Sequence, residues 1–416
     1  MAPRQKDKAK LIDGLLAKPE RSLVGDFRAA RVTKRNGKAA KKAGGAKTKP
    51  SRKESLLGEQ APGKALLSKS ARPTPKKKTA APPAESAPAK PAAKKRQRRS
   101  NGKKINILIT GVTTSIGRNL VMHLITNKRV GMILGVAQRV KPYYFNDLPK
   151  EKFIYRKCNI LKPRELKNLF LSKLFRQMEI NTVVHLAFHN RPLRGEDIHR
   201  LNVEGTRDLL KKCIDTKGIT KFVFKSSDVV YKLTPHNPVF LDENAPLNFD
   251  PDVDQWIKDR VDADMICRSF MDNGQVKIII LRMSNIIGRN INGQFNAYFD
   301  SRPVIKTLGF NPLVNLLHMK DVIRSITLAL VKSGRGIYNI AGRDTAPIST
   351  FTRLNGRRLI SVPEPLLSTV NWVQRKFGLT KYYYSVDRER QKYTALLDIS
   401  KAQKELGYKP EGRIEF

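Results

Sequence analysis

From residue 104 onward, short runs of β-forming apolar residues alternate with longer stretches of helical periodicity. NILIT is followed by NLVMHLITN, MILGVA by a polar loop, and KFIYRKCNI by PRELKNLFLSKL. NTVVHLAF then leads to HRLNVEGTRDLLKKCID, KFVFKSS to a loop and QWIKDRVDADMICRSFMDN, and VKIIILR closes the series. Strands that are apolar at every position, rather than at alternate ones, are covered on both faces, as in a parallel sheet with helices on either side. The alternation therefore predicts an α/β fold built on a doubly wound parallel sheet. Beyond Gly288 the pattern loosens into Gly-, Asn- and Pro-rich loops, with a helix expected near 319–333 and a short strand at 336–340. Residues 286–416 are expected to form a smaller C-terminal, substrate-binding part resting on the carboxyl edge of that sheet.

The first 103 residues follow no such period. Segments such as KKAGGAKTKP and AAKKRQRRS cannot bury enough apolar surface to offset chain entropy, so a disordered basic tail is expected over 1–103, ahead of one domain over 104–416. Two apolar patches interrupt the tail, at 11–27 and 54–67, and read either as docking motifs or as transient helix. The chain has a formal charge of +45, of which the first hundred residues hold about +22. Such a field favours polyanions, and with one aromatic in the tail any nucleic-acid contact would be to phosphates. Cys158, Cys213 and Cys267 form no CxxC pair, no run is apolar enough to span a bilayer, and the N-terminus lacks the hydrophobic core of a secretory signal. The expectation is a cytoplasmic protein, nucleoid-associated if bacterial and nuclear if eukaryotic, with an oligomer left open.

The stretch INILITGVTTSIGRNL, from Ile105 to Leu120, reads as strand, tight turn and helix. Gly111 supplies the backbone freedom for the reversal, and Gly117 lets the helix pack closely. Such a turn aims helix N–H groups at an anion, and dinucleotide sites use it to hold a pyrophosphate. Gly111, Thr113, Thr114, Ser115, Ile116 and Gly117 are the candidate contacts. Thr114 stands where a three-glycine fingerprint has its middle glycine, so its Cβ crowds the phosphates while the hydroxyls of Thr113, Thr114 and Ser115 offer donors.

Further motifs follow in order: CNI at 158–160, VVHLA at 183–187, LNVEGTRDLL at 201–210, FKSSDVVY at 224–231, IILRMSNIIG at 279–288, LLHMKDV at 316–322 and LDISKAQKELGYKP at 397–410. With TGVTTSIG, these resemble the extended short-chain dehydrogenase/reductases, the NAD-dependent epimerase/dehydratase group, over about residues 104–412. The resemblance implies a Rossmann-like sheet and NAD or NADP as cofactor. It places Asn159 and Ile160 beside the adenine, Ala187 against the ribose, and Met283, Ser284 and Asn285 around the nicotinamide. It has Asn202 start a helix and pin a backbone distortion near the site. The second strand ends in GVAQR without a carboxylate, so Arg139 reads either as a 2′-phosphate contact favouring NADP or as a surface arginine.

Members of this group move a proton with a Tyr whose pKa is lowered by a Lys four residues on, assisted by a Ser or Thr. That spacing puts both groups on one helix face. Ser227 matches the hydroxyl. The pair aligns on QWIKDR, so Trp256 holds the Tyr position and Arg260 the Lys position, and Asp264 fits the register. An indole N–H exchanges no proton near neutral pH, and a guanidinium does not titrate in proteins. Asp228 and Tyr231 are the candidates for a rearranged acid. His185 and His189 straddle a strand end and indicate no metal site. Three readings follow. The first is a cofactor-binding module impaired in catalysis. The second is an active epimerase, dehydratase or reductase on a sugar nucleotide or similar ligand. The third is a nucleic-acid-associated protein using its basic tail.

Overall fold

The computed structural model describes residues 104–189, 195–272, 274–288 and 291–415, so the expected tail over 1–103 lies outside the described residues. Seven strands form one sheet: β1 (Ile105–Thr110), β2 (Val130–Ala137), β3 (Phe153–Lys157), β4 (Thr182–His185), β5 (Lys221–Ser227), β6 (Lys277–Met283) and β7 (Gly336–Ile340). Their order across the sheet is β7-β6-β5-β4-β1-β2-β3, and every pair is parallel. The chain steps outward from β1 to β3 and then returns to β4 on the other side of β1. That order reverses between β1 and β4, and open α/β sheets bind ligands outside the carboxyl ends of the strands at such a point.

The uninterrupted apolar runs explain both layers. In β1, Ile107 and Ile109 face one side and Leu108 the other, all fully buried. In β6, Ile279 and Leu281 join the first face, and Ile278 and Ile280 the second. The first face is covered by α1 (Ser115–Leu124) and α5 (Met319–Val331), through Leu120, Leu124, Val322 and Ile326. The second is covered by α2 (Pro163–Leu171), α3 (Gly205–Asp215) and α4 (Gln255–Ser269), through Leu166, Leu209, Cys213 and Cys267. Each buried leucine, isoleucine or valine among these contributes about 1.5–3 kcal/mol by leaving water. All three cysteines are buried as free thiols, and burial pushes each one's pKa upward.

Beyond Gly288 the chain is more regular than its sequence pattern predicts. Asn285–Ile287, Leu313–His318 and Asp344–Pro347 make a three-stranded sheet, and Val304–Thr307 pairs with Leu359–Val362. A further helix, α6 (Glu364–Lys376), lies on the latter pair. These elements enclose their own core of Phe295, Tyr298, Phe299, Leu316, Leu367 and Tyr382. The expected helix near 319–333 and strand at 336–340 are α5 and β7.

A buried polar network fixes the sheet to the loops above it. Arg282 on β6 donates to both oxygens of Asp264 on α4, at 2.6 and 3.1 Å, and both residues are fully buried. Ser226 on β5 donates to Asp264 at 2.6 Å, and Arg282 also reaches the Tyr231 hydroxyl and the Glu243 carbonyl, each at 3.1 Å. Burial works against the Arg282 charge, but the hydrogen bonds and charge of Asp264 outweigh it, and the net shift is upward. The Tyr231 hydroxyl donates to Asn339 on β7 at 2.6 Å. Tyr231 is thus a structural tie between the post-β5 loop and β7, and burial pushes its pKa up to about 12.

Candidate functional site

The turn from β1 to α1 lies where the strand order reverses. Gly111 has φ +66°, a left-handed conformation that favours glycine, and a Cβ there would lie 2.6 Å from the backbone of Leu186 and Ala187. Turn and β4 end therefore touch backbone to backbone, Gly111 against Ala187. A Cβ on Gly117 would lie 2.6 Å from the Gly111 carbonyl oxygen, so this glycine lets α1 close onto the turn. Thr114 is the N-cap of α1. Its hydroxyl donates to the Gly111 carbonyl at 2.8 Å and accepts from the Gly117 N–H at 3.1 Å. That hydroxyl is spent on the turn and is no free phosphate donor, which corrects the expectation. The N–H groups of Thr113 and Ile116 make no hydrogen bond among the described residues, so this helix start keeps donors for an anion. Thr113 and Ser115 are half-buried and Ile116 is buried.

Other candidate contacts lie at or just beyond strand ends. Ser284 is buried just past β6, and its Oγ has no hydrogen-bond partner among the described residues, while Met283 before it is buried in the core. Asn285 begins the small three-stranded sheet. Asn159 lies just beyond β3, its Oδ1 accepting from the Leu161 N–H at 3.0 Å, with one lone pair left over. Ile160 is buried against α3. Arg139 is exposed past the end of β2, and its carbonyl accepts from the Tyr155 hydroxyl at 2.5 Å. His185 is a core histidine, bonded to Thr110 at 2.7 Å and Thr206 at 3.0 Å, and burial lowers its pKa to about 3.

Asn202 pins a distortion, as expected, but does not start a helix. It lies within a π-turn, Arg200–Glu204, between Glu196–His199 and α3. Its Oδ1 accepts from the His189 N–H at 2.8 Å, and its Nδ2 reaches Asp259 on α4 at 3.4 Å. Single π-turns of this kind concentrate at functional sites.

Trp256 and Arg260 share one face in the first turns of α4. The Arg260 guanidinium lies 3.5 Å from the centroid of the Trp256 ring and 5.2 Å from that of Phe188, just past β4. It also donates to the Trp256 carbonyl at 2.8 Å. Both residues are buried, at 6 and 8% exposure, so the cation is sandwiched between two rings and folded onto its own helix. Burial lowers the Arg260 pKa, and the charges of Asp259, Asp387 and Asp228 offset it only in part. Ser227 turns elsewhere. Its Oγ donates to Asp228 at 3.1 Å and accepts from the Val229 N–H at 3.4 Å. Asp228 is 2% exposed and accepts from Arg390 at 2.9 Å, an ion pair brought in from the C-terminal part. Ser227 and Asp228 thus pair with each other, Trp256 and Arg260 pair with each other, and the charge of Asp228 on Arg260 couples the two pairs.

Three residues here escaped the sequence reading. Arg390 and Asp387 belong to a segment with no local motif, and Lys225 looks like any strand residue. Burial, with help from Arg260, lowers the Lys225 pKa to about 8, against the pull of Asp228. Burial raises Asp387 to about 7, Arg390 opposing and Asp228 reinforcing, and its Oδ2 has no hydrogen-bond partner. From the ordinary carboxylate range up to about pH 7, the folded chain keeps a proton that the unfolded chain releases. The group therefore costs stability as pH rises through that interval, with the full cost above it. Asp387→Asn is expected to gain about 2–4 kcal/mol at about pH 8 and almost nothing near pH 4, by urea unfolding. A variant less stable than the native chain in alkali would contradict this.

A cleft of about 1100 Å3 opens between the loop after β5, the first turn of α4 and residues 384–390. Tyr231, Trp256, His199, Ser385 and Arg390 are among its walls, whereas the Gly111–Gly117 turn and Ser227 are not. On one wall Asp259, buried, accepts from Gln255 at 2.8 Å and lies 2.8 Å from His199.

The fold has close counterparts. A dTDP-glucose 4,6-dehydratase of Bacillus anthracis, solved in complex with NAD, superposes with a TM-score of 0.57 at 18% identity, covering 75% of this chain and 93% of that one. A UDP-glucose 4-epimerase of Thermotoga maritima, solved with UDP-glucose, gives 0.57 at 20% identity, covering 74% and 94%. An uncharacterized protein of Mycobacterium tuberculosis is 24% identical over 314 residues, which is 73% of this chain and 80% of that protein. The family model described as the NAD dependent epimerase/dehydratase family matches residues 107–341, more than half of the chain. The glycine turn at the switch point, the seven-stranded parallel sheet and this match agree, and the chain belongs to the NAD dependent epimerase/dehydratase family.

Proposed function

We propose that this protein binds a nicotinamide dinucleotide at the β1–α1 turn but lacks the family's proton relay, and so acts as a binding or regulatory module. The observation that carries the reading is the Arg260 guanidinium stacked on the Trp256 ring, where the family places its Lys and Tyr. Neither side chain can take up or release a proton near neutral pH. The two alternative acids are also engaged: Asp228 by Arg390, and Tyr231 by Asn339 and Arg282. The cofactor site, by contrast, has what such a ligand needs. Gly111 lets the turn close on the end of β4, the first-turn N–H groups of α1 are placed to meet a pyrophosphate, and the Ser284 Oγ, unpartnered among the described residues, is available for the nicotinamide end. NAD is the cofactor named with the similar dehydratase, and exposed Arg139 supports NADP as the competing choice. A bound nicotinamide supplies hydride acceptance and return; this chain supplies the cradle. The test is single-turnover spectroscopy. Native protein saturated with NAD and mixed with UDP-glucose or dTDP-glucose should form no NADH, while calorimetry reports cofactor binding.

A second reading keeps catalysis and has one observation in its favour, the half-buried Lys225 with its pKa lowered to about 8 on the strand that ends in Ser227. Under it, Lys225→Met would abolish a turnover that the native chain displays. Residues 1–103 are proposed as a separate basic segment that contacts polyanions such as nucleic acid, on the strength of their charge.

A further inference from the structure

Large exposed apolar side chains gather in the C-terminal part. α6 buries Leu367, Asn371 and Gln374 on one stripe, tied down by Gln374 donating to the Pro303 carbonyl at 2.7 Å and Asn371 to the Tyr382 carbonyl at 3.2 Å. The neighbouring stripe, Leu366, Val373 and Phe377, has the spacing of a helix face yet points outward. Leu366 is 54% exposed, Trp372 59% and Phe377 71%, with Leu379 also exposed beside them. From Ile348 to Lys381 there are six Lys or Arg and one acid, Glu364. That acid is already paired with Arg388 and Lys392, at 3.1 and 3.2 Å. Arg353, Arg358, Arg375, Lys376 and Lys381 are exposed.

We propose that this face of α6 docks on an anionic lipid bilayer, Trp372, Phe377 and Leu366 entering the acyl boundary while the surrounding cations meet headgroup phosphates. An apolar helix face flanked by Lys and Arg and carrying Trp and Phe is what such an interface selects. Charge decides between occupants. The chain's own N-terminal segment and a second copy of this face are both strongly cationic, so each would be repelled. Nucleic acid satisfies the cations but offers no acyl chain to Leu366 and Val373.

The chain has two tryptophans, and Trp256 is buried, so Trp372 reports on this face. The experiment mixes full-length protein with vesicles of phosphatidylcholine and phosphatidylglycerol, with and without bromine on the acyl chains. Emission is expected to shift to the blue and to be quenched by the bromine. Both effects should vanish in Trp372→Phe, an exposed position where the fold is not at risk. Leu366→Glu with Phe377→Glu should weaken insertion at least about tenfold. Vesicle binding without shift or quenching would overturn the proposal, because the basic N-terminal segment alone would then hold the membrane. So would a blue emission in free protein that Leu366→Glu with Phe377→Glu reverses, which would mean that the face is already covered by protein. An equal shift with single-stranded RNA would also overturn it.

Discussion

Asp264→Ala is expected to cost about 3–5 kcal/mol of folding stability. The Arg282 guanidinium is fully buried, and Asp264 is the carboxylate that neutralises it, through bonds of 2.6 and 3.1 Å. Removing the acid leaves a cation with only the Tyr231 hydroxyl and the Glu243 carbonyl, and leaves Ser226 without its acceptor. A buried charge without its partner keeps the full penalty of leaving water, far above the net value of the pair itself. The loss also reaches the site, since the same network holds the 228–231 loop and α4 against the sheet. Urea unfolding measures it, with Asp264→Asn falling between variant and native because the amide still accepts from Ser226. A loss below about 1 kcal/mol for the alanine variant would show that water or loop movement relieves Arg282.

Gly111→Val should abolish cofactor binding, weakening it by at least about a hundredfold. Two penalties combine. At φ +66° a β-branched residue is strained, and its Cβ would lie 2.6 Å from the Ala187 backbone nitrogen. Neither obstacle is a flexible side-chain end, so β1 and β4 must separate at the switch point. Calorimetry with NAD gives the affinity, and circular dichroism checks that the sheet survives. Binding within about threefold of native by a folded variant would place the dinucleotide elsewhere.

The sheet was legible because its strands carry consecutive rather than alternating apolar residues, a pattern that survives without knowledge of any neighbour. The β1–α1 turn was legible from its two glycines. The Trp256/Arg260 pair was legible from its i, i+4 spacing on a helix, but the Phe188 side of the sandwich depends on tertiary packing. The Asp228–Arg390 pair joins residues 162 apart in sequence, with no periodicity to announce it. Thr114 was misread because a residue's type does not reveal which way its hydroxyl turns; here it serves the cap. The C-terminal strands are only three to six residues long and paired in small sheets, too short to show alternation. α6 hid for another reason: its outward stripe is as apolar as its buried one, which blurs the amphipathic signal.

The central claim is that cofactor binding persists while proton transfer is lost at positions 256 and 260. It is tested most directly by hydride transfer to bound NAD, comparing the native chain with Trp256→Tyr plus Arg260→Lys, each saturated with cofactor and supplied with UDP-glucose or dTDP-glucose. The account predicts equal NAD affinity within a few-fold, no NADH from the native chain, and NADH formation in the double variant. NADH formation by the native chain, abolished by Lys225→Met or Asp228→Asn, would contradict it and assign the chemistry to a rearranged acid or base.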